Sequence, residues 1–568
     1  MKLKLFTGIT VLFILSSFQG CRTIKQPFNN YTITKSAEGK SGMVVTAHPL
    51  ATQVGLDVLK KGGNAVDAAI AVQFALAVCY PTAGNIGGGG FLVYYGKDKD
   101  IATLDFREKA PAKAHKDMYL DSDGNPVTSL SLDGALAGGV PGSVEGMWVA
   151  YQRYSKLKNW KMLLQPAIDA AEFGLALTKR EAEGLNGEAK EMDAINKGKT
   201  VFTEKEWKEG DILIQKELAE TLKAVRDKGR DGFYKGEVAT KIAQSIQSDG
   251  GIMTVEDLAN YDAKWRQPII TSYRGHKVIT MPPPSSGGIV LTQLLHAVEP
   301  YDVKSMGLHS TALTHLMAEA ERRSYADRAG HMGDSDFYPV PVGPLTEKAY
   351  TEKRMKNFDP QKATPSTDVK EGLRESEQTT HFSIVDKDGN AVSVTTTLNG
   401  GYGSRYVVKG LGFILNNEMD DFSVKPGVPN LYGLVGAEAN KIEPGKRMLS
   451  SMTPTIVLDK NEKPYIIVGT PGGSTIITSV FQTILNIIDH GMDAPSSVAA
   501  PRFHHQWLPD AIFAENDCLS ETVRNELKNM GHKITARGKI GRVETIIVKD
   551  GRIQGGADPR GDDDAKGY

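Results

Sequence analysis

The sequence predicts an α+β protein whose helices gather in residues 50–330 and whose strands gather beyond residue 379. Three observations carry this expectation. Apolar residues recur at helical spacing, or in near-continuous buried runs, over Ala51–Lys61, Ala65–Val78, Glu217–Lys228 and Ser310–Asp327. Runs rich in β-branched residues replace them at His381–Val385, Ala391–Thr397 and Tyr465–Gly469. Between the two regions lies a polar, proline-bearing stretch, residues 328–378, which reads as an exposed linker.

The chain opens on a segment outside the fold. Lys2 and Lys4 flank an apolar run, Leu5–Leu15, and small residues lead to Cys21. The run is short of the roughly 20 apolar residues that a spanning helix needs. Residues 1–20 are therefore expected to be a signal peptide. They resemble a bacterial lipoprotein signal, in which Cys21 would be lipidated and anchor the exported protein in the periplasm or at the cell surface. Simple secretory cleavage is the alternative, because Phe18 and Gln19 depart from the strictest motif. Residues 21–40 are polar and read as a tether.

In the body, Gly62-Gly63 divides two helices, the second of which is apolar enough to be packed on both sides. Asp386-Lys-Asp-Gly-Asn joins two of the predicted strands as a hairpin turn. Asp562-Asp563-Asp564 near the C-terminus reads as a solvated charge run.

Composition excludes several classes of function. Apolar residues are 40% and charged residues 24%, which suits a packed globular body rather than a disordered chain. Lys plus Arg (67) nearly equals Asp plus Glu (68), so no basic footprint for nucleic acid is expected. Three cysteines cannot build a disulfide framework or a four-thiolate zinc site. Cys79 reads as a small buried hydrophobe and Cys518 has no evident partner. His504-His505 lacks a neighbouring carboxylate, and Gly87–Gly90 lacks the Gly-Lys-Ser/Thr of a phosphate loop. Neither a metal nor a cofactor is expected.

Chemistry is sought at Gln378-Thr379-Thr380-His381, which opens the first strand of the second region. Threonine inside a chain is a weak nucleophile. As the first residue of a chain it gains its own α-amine as a base, with a reference pKa of about 7.7–8.0. That would require cleavage of the 378–379 bond. Three further clusters follow: Thr395-Thr-Thr-Leu-Asn-Gly-Gly401, Asn416-Asn-Glu-Met-Asp-Asp-Phe422, and Arg447–Thr455 with Gly469-Thr-Pro-Gly-Gly-Ser474.

Together with Asn64-Ala-Val-Asp-Ala-Ala, Gly84-Asn-Ile-Gly-Gly-Gly-Gly-Phe, Leu104-Asp-Phe-Arg-Glu-Lys-Ala-Pro, Pro282-Pro-Pro-Ser-Ser-Gly-Gly, Arg502-Phe-His-His-Gln-Trp and the Ala557–Tyr568 segment, these clusters closely resemble the γ-glutamyltranspeptidase family over nearly the whole chain after residue 40. The resemblance implies an N-terminal nucleophile hydrolase with a four-layer αββα sandwich. It implies self-cleavage between Gln378 and Thr379 into a helix-rich large subunit (41–378) and a strand-rich small subunit (379–568), which stay together as a heterodimer. Thr379 would be the nucleophile and Thr397 would orient it. Gly472 and Gly473 would supply the oxyanion-hole N–H groups. Arg107, Ser450 and Ser451 would bind the substrate α-carboxylate, and Asn399, Glu418 and Asp421 its ammonium. Glu418 stands where some relatives carry Gln, and would add one negative charge to the pocket. Tyr432, in the loop Pro429–Asn440, would gate the site by bonding to Asn399. The implied substrates are glutathione and other γ-glutamyl compounds, with water, amino acids or dipeptides as acceptors. Two other readings are a related acylase acting on cephalosporin side chains or poly-γ-glutamate, and a catalytically silent surface lipoprotein.

Overall fold

Antiparallel pairing organises the chain. The computed structural model describes residues 26–29, 31–369, 379–423 and 438–568. Fourteen strands form two seven-stranded sheets. In chain order they are β1 (Ser36–Gly39), β2 (Met43–Thr46), β3 (Gly89–Tyr95), β4 (Ile101–Asp105), β5 (Lys264–Arg266), β6 (Ile269–Tyr273), β7 (His276–Thr280), β8 (Thr380–Val385), β9 (Ala391–Thr397), β10 (Thr455–Leu458), β11 (Pro464–Gly469), β12 (Glu544–Lys549), β13 (Arg552–Ala557) and β14 (Asp564–Gly567). The first sheet runs β14-β2-β8-β9-β3-β4-β5 and the second β1-β13-β12-β11-β10-β7-β6.

The sheets pack face to face. Val45, Val93 and Val385 of the first meet Ile279, Ile456, Ile467 and Ile546 of the second. Alternation along each strand sends the other side chains outward. Phe382, Ile384, Val392 and Val394 pack under helices α1 (Pro49–Lys60) and α2 (Ala65–Cys79). Val457, Ile466 and Val468 pack under α3 (Gly287–Val298), α4 (Thr311–His331) and α5 (Thr475–Ile488). The result is the expected αββα sandwich. Every residue of α2 is buried, and its start is fixed by a capping box: Asn64 Oδ1 accepts from Asp67 N at 2.9 Å and Asp67 Oδ2 from Asn64 N at 3.0 Å. Among the described residues no helix is long and apolar enough to cross a membrane.

The helix-rich first region also shares in both sheets, as a sandwich formed jointly by the two regions requires. Residues before 379 supply β1–β7, so each sheet is woven from both regions. β3 begins within the glycine run. Its glycines are small because β9 lies against them: a Cβ on Gly88 would sit 2.1 Å from Thr397 O, and one on Gly90 2.4 Å from Thr395 O. The stretch 328–378 is also more than a linker. It begins in the last turn of α4 and contains helices Val342–Thr346 and Lys348–Met355, which bury Leu345 and Thr351. Arg354 of the second helix pairs with Asp327 at 2.9 Å.

The aspartate run departs from expectation as well. Asp563 and Asp564 are fully buried. Asp564 Oδ1 accepts from Thr34 N at 2.6 Å, and Asp563 lies 3.6 Å from the Arg542 guanidinium. Lys35 Nζ donates to the carbonyls of Asp558, Gly561 and Asp563, so the C-terminal turn closes around a cation. Cys79 and Cys518 are buried free thiols.

Candidate active site

Thr379 stands one residue ahead of β8, an interior strand of the first sheet, and is 6% exposed. β8 pairs with β9 in the register Thr380↔Thr396. One further step of that register sets Thr379 opposite Thr397. Thr397 is held firmly: its carbonyl accepts from Asn85 Nδ2 at 2.8 Å, and its hydroxyl oxygen accepts from Asn399 N at 2.7 Å. Asn399 takes a left-handed conformation (φ +72°) to make that turn, and its side-chain amide donates to Asn417 O at 3.0 Å.

The second sheet brings the glycine pair. Gly472 (φ +136°) and Gly473 (φ +54°) lie between the end of β11 and the start of α5. Their carbonyls are used by the helix: Thr475 N and Oγ1 donate to Gly472 O at 3.0 and 2.8 Å, and Ile476 N donates to Gly473 O at 3.1 Å. Among the described residues their N–H groups make no hydrogen bond. Two such amides at a helix N-terminus suit an anion site. Thr379 and Gly472 line the same cavity, of about 330 Å³, with Tyr80 and Tyr402 in its wall.

Arg107 follows β4 and is buried. Its backbone N–H donates to Asp105 Oδ1 at 2.9 Å, and its carbonyl accepts from Tyr261 Oη at 2.8 Å. Asp105 is held in turn by Arg266 Nε at 2.7 Å. The Arg107 guanidinium faces three carboxyl groups: Glu418 at 2.6 Å, Glu108 at 3.6 Å, and Asp421 in a direct ion pair. Burial opposes its charge, but the acids outweigh burial and raise its pKa further. The acids fare differently. Burial pushes Glu418 well up and Glu108 to about 8, with Arg107 only partly offsetting this in each case; it also raises Asp421. One guanidinium cannot keep three buried carboxylates ionised. Burial beside two other acids therefore favours the neutral form of the Glu418 carboxyl, against the full negative charge expected from it.

Ser450 and Ser451 arrive on the loop before β10. Pro282–Ser286 grips that loop: Ser450 N donates to Pro284 O at 2.9 Å, while Ser286 N and Oγ donate to Ser450 O at 2.7 and 2.8 Å. Ser451 is buried, and among the described residues its hydroxyl has no hydrogen-bond partner, which suits a group awaiting a ligand.

The structure thus gathers Arg107, Glu418 and Asp421 in one cluster and Thr379 with Gly472 in one cavity, and sets Asn399 beside Thr397. Gln378, Tyr432 and Cys21 lie outside the described residues. Three asparagines that sequence reasoning gave no role act as buckles. Asn85 ties the glycine turn to Thr397. Asn416 Nδ2 donates to Gly87 O and Gly139 O at 2.8 Å each, and its Oδ1 accepts from Glu418 N at 3.0 Å. Asn417 Oδ1 accepts from Gly400 N at 2.8 Å. The signal available for them was asparagine next to glycine or acid runs, which fits an ordinary turn equally well. His504 and His505 serve local bonds, to Thr478 and Gln506 and to Asp510 and Trp507.

The family whose description is Gamma-glutamyltranspeptidase matches residues 51–568. The glutathione hydrolase proenzyme of Escherichia coli is 47% identical over 536 residues, covering 92% of this chain and 91% of the relative. The cephalosporin acylase from Bacillus halodurans superposes with a TM-score of 0.83 at 27% identity, covering 96% of this chain and 98% of that one. The γ-glutamyltranspeptidase of Helicobacter pylori gives a TM-score of 0.56 at 44% identity, covering 61% of this chain and 97% of the solved chain.

Proposed function

Because the chain belongs to the γ-glutamyltranspeptidase family, we propose that it is a self-processing γ-glutamyl hydrolase and transferase with Thr379 as nucleophile. In maturation the Thr379 hydroxyl attacks the Gln378 carbonyl. The peptide bond shifts to an ester, and water hydrolyses it to a Gln378 carboxylate and a free Thr379 amine. In turnover that amine takes the hydroxyl proton as the oxygen attacks the γ-carbonyl of a γ-glutamyl amide. The Gly472 and Gly473 N–H groups stabilise the tetrahedral oxyanion. The amine returns the proton to the leaving nitrogen, and a glutamyl ester remains on Thr379. Water, or the amine of an amino acid or dipeptide, releases it.

Substrate charge selects the pocket. A guanidinium fork suits the α-carboxylate, and binding it displaces Arg107 from part of its acidic shell. Asp421, freed in this way, joins Asn399 and Glu418 around the ammonium. Tyr432 closes over the bound head group. The family's acylase members raise the alternative of other side-chain amides, but the Arg107–Asp421 pair favours a zwitterionic head group. The observation that carries the reading is the shared cavity of Thr379 and Gly472, with Thr397 in register. Mass spectrometry of the purified protein, with an assay on a γ-glutamyl anilide with and without glycylglycine, tests it. An active protein that is continuous through residues 378–379 would refute it.

Lys2, Lys4, the apolar run and Cys21 support export with a lipid anchor. The mass of the mature N-terminal peptide distinguishes a lipidated Cys21 from simple cleavage.

A further inference from the structure

Helix α4 carries polar residues at Glu321, Tyr325 and Arg328, spaced i, i+4, i+7 on one face, and all are buried. Such burial is costly unless each group is engaged. Their partners lie on separate loops of the site. Tyr325 Oη donates to the carbonyl of Ser474, the residue that follows the Gly472–Gly473 pair and caps α5. Arg328 Nε donates to Ser286 Oγ at 2.8 Å, and that hydroxyl donates to Ser450 O at 2.8 Å. Glu321 Oε2 accepts from His505 N at 2.7 Å, beside Gln506, whose Oε1 accepts from Ser474 Oγ at 2.9 Å.

We propose that this face of α4 is a ruler for the reaction, with Tyr325 setting the oxyanion turn and Arg328 setting the Ser450–Ser451 loop. Both are positioning residues, since each acts through another group. A helix is stiff, so fixing both loops to points three residues apart fixes the distance between the two ends of the γ-glutamyl group. Arg328 adds a charge: although burial lowers its pKa to about 10, it stays protonated at neutral pH and attracts Asp421. The inference rests on the proposed γ-glutamyl chemistry. It goes further by assigning the oxyanion turn and the carboxylate loop to two neighbouring residues of one helix, with separable kinetic effects.

The test is a pair of conservative variants, Tyr325→Phe and Arg328→Lys, with Arg328→Met as the harsher form. Active sites are titrated by the glutamyl-enzyme burst so that rates refer to processed molecules only. Misplaced groups cost up to about a hundredfold. Tyr325→Phe is expected to lower kcat about tenfold with KM for the γ-glutamyl donor within twofold. Arg328→Met is expected to raise donor KM about tenfold or more with a smaller change in kcat, and Arg328→Lys to recover part of the loss. A purely structural role would lower the thermal midpoint and the yield of cleaved protein while leaving kcat and KM per titrated site unchanged. That result in Tyr325→Phe and Arg328→Lys would overturn the proposal. Failure of the wild-type enzyme to form a glutamyl ester would instead overturn the functional reading beneath it.

Discussion

Gly472→Ala tests the oxyanion turn most directly. Gly472 holds φ at +136°, a conformation that costs an L-residue on the order of 1–3 kcal/mol. A Cβ there would lie 2.5 Å from Thr475 Oγ1, with Gly541 next at 3.4 Å. Thr475 could rotate away, but its hydroxyl donates to Gly472 O, and losing that bond costs about 1 kcal/mol. Either route turns the peptide plane and swings the N–H off the position the oxyanion will occupy. Removing one such donor lowers kcat by about 10²–10³, or roughly 2.7–4 kcal/mol. The donor KM should change little, because Arg107 and Ser451 are untouched. The assay is steady-state release from a γ-glutamyl anilide, normalised to sites titrated by the burst, with a denaturing gel to score cleavage. A kcat within threefold of wild type at fully cleaved sites would show that this amide does not stabilise the transition state.

Other variants probe the remaining parts. Thr379→Ala should stay a single uncut chain without activity; normal cleavage in that variant would discard the nucleophile. Arg107→Lys loses the fork geometry, and with charge-assisted bonds worth about 1.5–3 kcal/mol the donor KM should rise roughly 10- to 100-fold; an unchanged KM in steady-state assays would remove Arg107 from the binding site. Glu418→Gln should keep kcat and KM within about threefold, since burial favours the neutral form of the wild-type carboxyl. The raised folded pKa of Glu418 means that its stabilisation is complete below about pH 4.5 and is lost as pH rises through the folded value. The urea midpoint of the variant should therefore gain on wild type between pH 5 and 9, and the opposite trend would refute the assigned protonation. Gly88→Ala, which would force a Cβ to 2.1 Å from Thr397 O, should cost on the order of 1–3 kcal/mol by urea unfolding and slow self-cleavage; wild-type behaviour would contradict the close β3–β9 contact.

Much of the site could be read in the chain because its chemistry is concentrated in short runs. Thr379–Thr397 is a hairpin by both composition and turn, and the predicted and observed strands agree to one residue. Helices α1 and α2 were equally legible, being long and separated by glycines. The strands of the first region were not. β3 begins in glycine and pairs with β9 far along the chain, β5 is a Lys-Trp-Arg strand that pairs with the distant β4, and β6 mixes Thr and Ser with apolar residues at the edge of its sheet. The Asp562–Asp564 run misled for a similar reason: its cations, Lys35 and Arg542, come from elsewhere in the sequence. The acid-rich surroundings of Glu418 were illegible because they require knowing that Glu108, Glu418 and Asp421 converge on a single guanidinium.

The alternation of strands from either side of residue 379 has a consequence for the mature protein. Ladders β14–β2, β2–β8, β9–β3, β1–β13 and β10–β7 each join one fragment to the other. Scission frees two chain ends yet severs none of these seams. Neither piece retains a complete β-layer alone, so separation would strip hydrogen-bonded edges across both sheets at once. The cut enzyme is therefore held together by both sheets, and producing the pieces apart should yield insoluble halves rather than an enzyme waiting to be mixed.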